Sequence, residues 1–338
     1  RSNRLNVSFD AYIRDTKDML MAGKTLPGVY GASSPRMNVA DLRTKGWEAS
    51  VTWGDSFTLA SKPFNYRIMA GIGDNTSKVT KYDNPNRTLT DPYEGQQLGE
   101  IWGYVVDGYF KTDEEARNYK VDQSFVNQMI NASALDNGLH AGDLKFVDLD
   151  GNNKIEQTTS ANDRKDMKVI GNSLPRYNYN FGISADWYGI DFSVLFQGIG
   201  KQNWYPGAET SMFWGPYSRP YASFIPSDFM SQVWSEENTN AYFPRPRGYV
   251  ALGSNRELAV VNTKYLQNLA YCRLKNLSIG YTLPDKWLSK IGFEKIRVYF
   301  SGENLLTFTK LHSDYIDPEQ ASASNSWKTS KSDANIYP

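Results

Sequence analysis

The chain of 338 residues has one cysteine, Cys272, and two histidines, His140 and His312. A single cysteine excludes an intrachain disulfide, and beside Tyr271 it reads as a small packed residue. Two histidines in separate loops exclude a histidine metal cluster and leave no familiar nucleophile–histidine arrangement. There is no P-loop and no dinucleotide fingerprint. Adjacent carboxylates such as Glu114-Glu115 and Glu236-Glu237 stand in polar stretches and read as solvated surface. No residue is therefore assigned a catalytic role.

Excess charge is also lacking. The 37 Lys and Arg balance the 37 Asp and Glu. No basic footprint points to nucleic acid, and no block of like charge suggests a charged tail. No apolar run approaches about eighteen residues, and the mean hydropathy is −0.57. A transmembrane helix is thus not expected. A strand-built membrane protein stays open, because strands that alternate lipid-facing and lumen-facing residues average to a soluble hydropathy. A signal peptide is not seen either. Arg1 to Arg4 run straight into an alternating segment, which gives the expectation that the sequence is a piece of a longer protein.

What the chain does have is aromatic residues, 14% of the total, and long alternation. Tyr177, Tyr179, Phe181, Ile183, Ala185 and Trp187 are apolar, with Asn178, Asn180, Gly182, Ser184 and Asp186 between them. After Tyr188-Gly189 the phase restarts at Ile190, Phe192, Val194 and Phe196. An ordinary strand has about five or six residues. A strand crossing an outer membrane needs about nine to eleven, with aromatics at both interfaces. Seven segments fit: about 4–14, 44–53, 63–75, 177–187, 189–199, 271–283 and 294–304. The sixth loses phase at Arg273 and Leu274. Short connections alternate with long ones at about 15–43, 76–176, 200–270 and 305–338. The expected fold class is all-β, part of an antiparallel transmembrane β-barrel with long extracellular loops. The tight Tyr188-Gly189 turn is then expected on the periplasmic side. Seven is odd and the end strands lack partners, so the chain cannot close a barrel alone. Polar positions such as Asn178, Asn180, Asp191, Arg297 and Glu303 are expected to face the lumen.

Two loop segments could bind something. Asp148 to Ile155 follows the first eight positions of a calcium loop. Asp148, Asp150 and Asn152 would give side-chain oxygens, Lys154 a backbone carbonyl, and Glu156 stands at position 9. Asn153 replaces the usual second Gly, and Asn tolerates a left-handed turn. Thr159 stands where the closing Glu is expected, which leaves Asp163 or Asp166 to close the site. The other reading is an Asx-rich turn without an ion. The loop holding Trp204, Tyr205, Trp214 and Tyr217 could present aromatics to a sugar or a partner protein. The other reading is a loop that folds on its own aromatics.

Several strings together resemble the SusC/RagA family of TonB-dependent outer-membrane transporters from Bacteroidetes-type bacteria. They are Lys45-Gly46-Trp47-Glu48, the run Glu94 to Tyr104, Asp107-Gly108-Tyr109-Phe110, and Gly142 to Phe146 leading into the Asp148 loop. They continue with Ile170 to Tyr177, Arg273 to Tyr281, Gly302 to Leu305, and Tyr315-Ile316-Asp317-Pro318-Glu319. The resemblance covers nearly the whole chain and matches the C-terminal third or so of such a transporter. It implies a fragment of a 22-stranded barrel, residues 1–338 being its C-terminal portion, with the N-terminal plug and the first part of the barrel outside this sequence. It implies a Gram-negative outer-membrane setting amid lipid and lipopolysaccharide, with coupling to TonB through the missing part. It further implies a SusD-like surface lipoprotein as lid, and import of oligosaccharides as in a polysaccharide-utilisation system. Peptides are the alternative cargo within the family. No cofactor is required beyond the calcium that the Asp148 loop could hold. From outside the family, the rival is a secreted carbohydrate-binding β-sandwich, also aromatic-rich with alternating strands.

Overall fold

The computed structural model describes residues 4–22, 31, 35–126, 138–208, 210–218, 225–246, 249–253, 256–289 and 292–321. The end of the last expected loop, 322–338, and parts of the others lie outside the described residues.

Chain order gives β1 (Leu5–Ala22), β2 (Arg36–Leu59) and β3 (Lys62–Lys81). An excursion follows with β4 (Glu100–Tyr104), β5 (Val106–Tyr109), β6 (Leu144–Phe146) and β7 (Met167–Asn172). Next come β8 (Arg176–Trp187) and β9 (Ile190–Lys201). The short β10 (Asn203–Trp204) and β11 (Gln267–Asn268) precede β12 (Tyr271–Thr282) and β13 (Arg297–Thr309). Seven strands form one antiparallel sheet in the order β1-β2-β3-β8-β9-β12-β13. These are the seven segments that alternation selects. Two hairpins turn on Ala60-Ser61 and Tyr188-Gly189, all four residues having positive φ. A two-residue turn of that hand matches the right-handed strand twist.

The register aligns chemistry across the whole sheet. Val7, Val51, Ala70, Phe181, Phe196, Leu274 and Leu306 form one row from β1 to β13. Phe181 and Phe196 stack in it with ring centroids 4.8 Å apart. The neighbouring row, on the opposite face, is Ser8, Ser50, Gly71, Asn180, Gln197, Arg273 and Thr307. One face is therefore apolar and the other polar, since side chains alternate faces with period two. The apolar face is uncovered: Val7 is 63% exposed, Ile183 44%, Val298 66% and Phe308 61%. Each large apolar side chain left in water forgoes about 1.5–3 kcal/mol, so this face requires a non-aqueous neighbour. That disposes of the β-sandwich. Its sheets would bury their apolar faces against each other, whereas no second sheet covers this one among the described residues.

Tyr177 and Trp187 bracket β8. The span between them, about 3.4 Å per residue tilted at about 40°, gives a height of about 26 Å, matching the apolar band of an outer-membrane barrel of about 25 Å. Indole N–H groups at the short-turn end find oxygen partners: Trp53 donates to the Tyr66 hydroxyl at 3.0 Å and Trp187 to the Leu59 carbonyl at 3.1 Å.

The strand ends correct the sequence reading. β1, β2 and β3 have 18, 24 and 20 residues. The loop expected at 15–43 starts and ends as paired strand, for example Asp15 with Arg43 and Ala22 with Arg36. Beyond the bilayer both faces meet water, so alternation fades while backbone pairing continues. Asp18, with φ 53°, marks a register shift there.

The packed core lies outside the sheet. Trp204, Trp214, Tyr104, Tyr265, Phe146 and Phe243 are fully buried in one cluster drawn from the long excursions. β10 pairs with β11, and β4 pairs with β7. Tyr104 N–H donates to the Val261 carbonyl at 2.9 Å, which joins the first long excursion to the second.

Candidate functional site

The polar face of the sheet is the first candidate. Asn178 and Asn180 line a hollow of about 350 Å³ with Ser8, Asp10, Glu48 and Ser50. Nearer the short turns, the Arg297 guanidinium holds Asp191 with two contacts of 2.9 and 2.5 Å. Glu303 pairs with Asn276 in register. The face is thus a wall of amides, hydroxyls and fixed ion pairs.

Two further ion pairs, which sequence reading missed, brace this wall, one between strands and one to the segment after β13. Arg176, at the start of β8, grips Asp74 of β3 through two contacts of 2.5 Å. Arg273 is 4% exposed and engages Asp317, itself 1% exposed, and also Glu319 at 2.6 Å. Lys275 reaches the same Glu319 at 2.7 Å. The phase break at Arg273 and Leu274 was the available signal. The structure shows a β-bulge between Leu274 and Asn276, where the register shifts against both neighbouring strands. A bulge adds one unpaired residue and re-aims its neighbours.

The aromatic loop turns inward, which corrects the expectation that it faces substrate or partner. Trp204 and Trp214 are fully buried, Tyr217 is 2% exposed, and Tyr205 packs against the same cluster. Their polar atoms are largely used internally. Tyr205 donates to the Leu258 carbonyl at 2.8 Å, Tyr217 to the Pro244 carbonyl, and the Trp214 indole to the Gly207 carbonyl at 3.0 Å. A long excursion cannot stay ordered without a core of its own, and these rings supply it.

The Asp148 loop folds as a series of Asx turns. Asp148 accepts from Gly151 and Asn153 N–H, both at 2.7 Å, and Asn152 accepts from Lys154 N–H at 2.8 Å. Asn153 takes the left-handed conformation, φ 62°. Among the described residues, the carboxylates of Asp148, Asp150 and Asp166 converge, with one oxygen of each within 4.8 Å of the others, so that of the two closing residues that sequence offers it is Asp166 that joins the loop. Asn152 turns its amide to Glu156 at 3.1 Å, and Lys165 holds Glu156 at 3.3 Å. Lys154 stands beside Glu156 at 3.9 Å. Burial pushes the Asp166 carboxyl above its ordinary range; two backbone donors oppose this, and the charges of Asp150 and Asp148 add to it. Partial burial also acts on Asp148, but the N–H groups of Asn153, Gly151 and Asn152 outweigh it and hold that carboxyl low.

Known proteins share this geometry, although no family model matches the chain. TonB-dependent receptor P3 of Formosa agariphila is 29% identical over 332 residues, covering 94% of this chain and 29% of the relative. TonB-dependent receptor SusC of Bacteroides thetaiotaomicron is 21% identical, with the whole chain covered and 29% of SusC. This chain is similar to TonB-dependent receptors of the SusC type. Among solved structures, the RagAB peptide importer in its open-open state superposes with a TM-score of 0.63 at 21% identity. That match covers 95% of this chain and 31% of the RagAB chain, and it shows the fold. The seven-stranded sheet is therefore a section of barrel wall, with its apolar face toward outer-membrane lipid and its polar face toward the lumen. The chain spans about 30% of the length of the relatives it matches. No helix among the described residues is long and apolar enough to cross a membrane.

Proposed function

We propose that this wall belongs to a TonB-dependent importer of oligosaccharides whose mouth is closed by a SusD-like surface lipoprotein. The observation that carries the reading is the continuous polar row across seven strands opposite an uncovered apolar row. Such a wall makes and breaks no bond. It offers amide and hydroxyl partners that suit a polyhydroxylated cargo. Peptide import is the second reading, favoured by the superposition on the RagAB peptide importer. Uptake separates them. Cells carrying the full-length transporter should accumulate a labelled oligosaccharide only while TonB is present, and a labelled peptide of similar size should stay outside. TonB-dependent uptake of the peptide alone would replace the glycan reading.

We also propose that Asp148, Asp150 and Asp166 hold Ca²⁺. Two oxygens on opposite sides of a calcium ion lie about 4.6–5.2 Å apart, so the observed separations fit. A carboxylate accepting two N–H bonds retains lone pairs for a metal. Calcium titration of the full-length protein should release heat that Asp148→Asn and Asp150→Asn abolish. Equal heats from all three proteins would remove the site.

A further inference from the structure

A second pocket stands apart from the barrel wall, the calcium loop and the aromatic core. It lies beside the β4–β7 pair, where Val169 is 45% exposed. Its volume is about 390 Å³, and Arg87, Arg164 and Lys168 line it with Tyr93, Trp102 and Glu100. None of the three cations has a salt-bridge partner among the described residues. The one carboxylate, Glu100, is already committed: it accepts the Tyr93 hydroxyl at 2.7 Å and Gln97 N–H at 2.9 Å. The pocket therefore carries surplus positive charge.

Arg87 is held in place more firmly than a surface arginine requires. Its backbone is left-handed at φ 48°, a conformation that costs a residue with a Cβ about 1–3 kcal/mol and persists only when neighbours enforce it. They do: Arg87 N–H donates to the Asn84 carbonyl at 3.0 Å, and its carbonyl accepts from Ala161 N–H at 2.9 Å. The Asn84 side chain braces the same turn through Thr88. The guanidinium lies over the Tyr93 ring, 4.7 Å from its centroid, and its buried Nε–H finds no acceptor. Strain and stacking together describe a cation preset on the pocket wall.

We infer that this pocket is a subsite for the acidic group, carboxylate or sulfate, of an acidic oligosaccharide. Its volume falls in the range of sites for whole small ligands, about 300–1,000 Å³, and exceeds the needs of a lone anion. Trp102 and Val169 add an apolar wall suited to the C–H face of a sugar ring. The assignment rests on the glycan-import reading, and the test keeps the two apart.

The full-length transporter is titrated with tetragalacturonate, with a sulfated galactotetraose and with neutral galactotetraose. Acidic forms should bind more tightly, and the advantage should shrink as salt rises. Arg87→Gln should weaken acidic binding by about tenfold or more, the scale of one hydrogen bond to a charged group. Lys168→Gln, at an exposed position, should weaken it several-fold and keeps the test decisive should Arg87→Gln misfold. Neutral binding should not change in either variant. Acidic and neutral forms binding alike, or acidic binding untouched by Lys168→Gln, overturns the subsite and leaves glycan import standing. Arg87-dependent binding of tetraglutamate, with no sugar bound, overturns the glycan reading itself.

Discussion

Arg273 shows what a single residue does in this wall. It sits in the polar row, nearly inaccessible, and two acids from a segment 44 and 46 positions later close on it. Removing one partner of a buried ion pair typically costs about 3–5 kcal/mol, because the other charge stays buried and uncompensated. Arg273→Ala in the full-length protein should lower stability by that amount in denaturant unfolding. It should also speed amide exchange across residues 313–321 while leaving β8 and β9 unchanged. Uniform exchange would mean that the pair does not hold this segment. Sequence shows both halves of the pair as separate strings, Arg273 to Tyr281 and Tyr315 to Glu319, and cannot join them. Partners so far apart meet only through tertiary folding. Asp166 is one of two residues that sequence offers to close the Asp148 loop, and folding, not spacing, selects it over Asp163.

At the scale of the element, lipid writes the pattern. Where a strand crosses the bilayer, one face must be apolar and the other need not be, so alternation survives in the sequence and all seven strands are legible from it. Where β1, β2 and β3 run on into water, the constraint lapses, and their outer halves read as loop. The bulge in β12 is legible only as a lost phase. Side chains one position apart should therefore respond very differently to charge. Ile183, near the middle of β8, is 44% exposed on the apolar face, and Ser184 lies on the other. Ile183→Lys should cost about 2–4 kcal/mol, the midplane value for a cation on a barrel's lipid face. Ser184→Lys should cost little. Folding yield into lipid vesicles and urea midpoints, compared between the two variants, measure this. Equal penalties would mean that the sheet has no lipid side.

For the whole molecule, hydrophobic burial is divided between two environments. The wall gives its apolar face to lipid, and the long excursions build their own aromatic core above it. That division explains why loop aromatics such as Trp204 and Trp214 read as candidate ligand platforms. Sequence records an aromatic-rich loop, and only packing tells which way the rings turn. The family resemblance was legible because its motifs recur in order along nearly the whole chain. The central claim concerns the two faces of the sheet, and site-directed spin labelling addresses it directly. Single labels at positions 179 to 186 are placed in the full-length protein, with Cys272 replaced by Ala, and reconstituted in vesicles. Oxygen accessibility should peak at Tyr179, Phe181, Ile183 and Ala185, and a water-soluble nickel chelate should reach Asn180, Gly182, Ser184 and Asp186 instead. Nickel access at Phe181 and Ile183 equal to that at Asn180 and Ser184 would contradict the barrel wall.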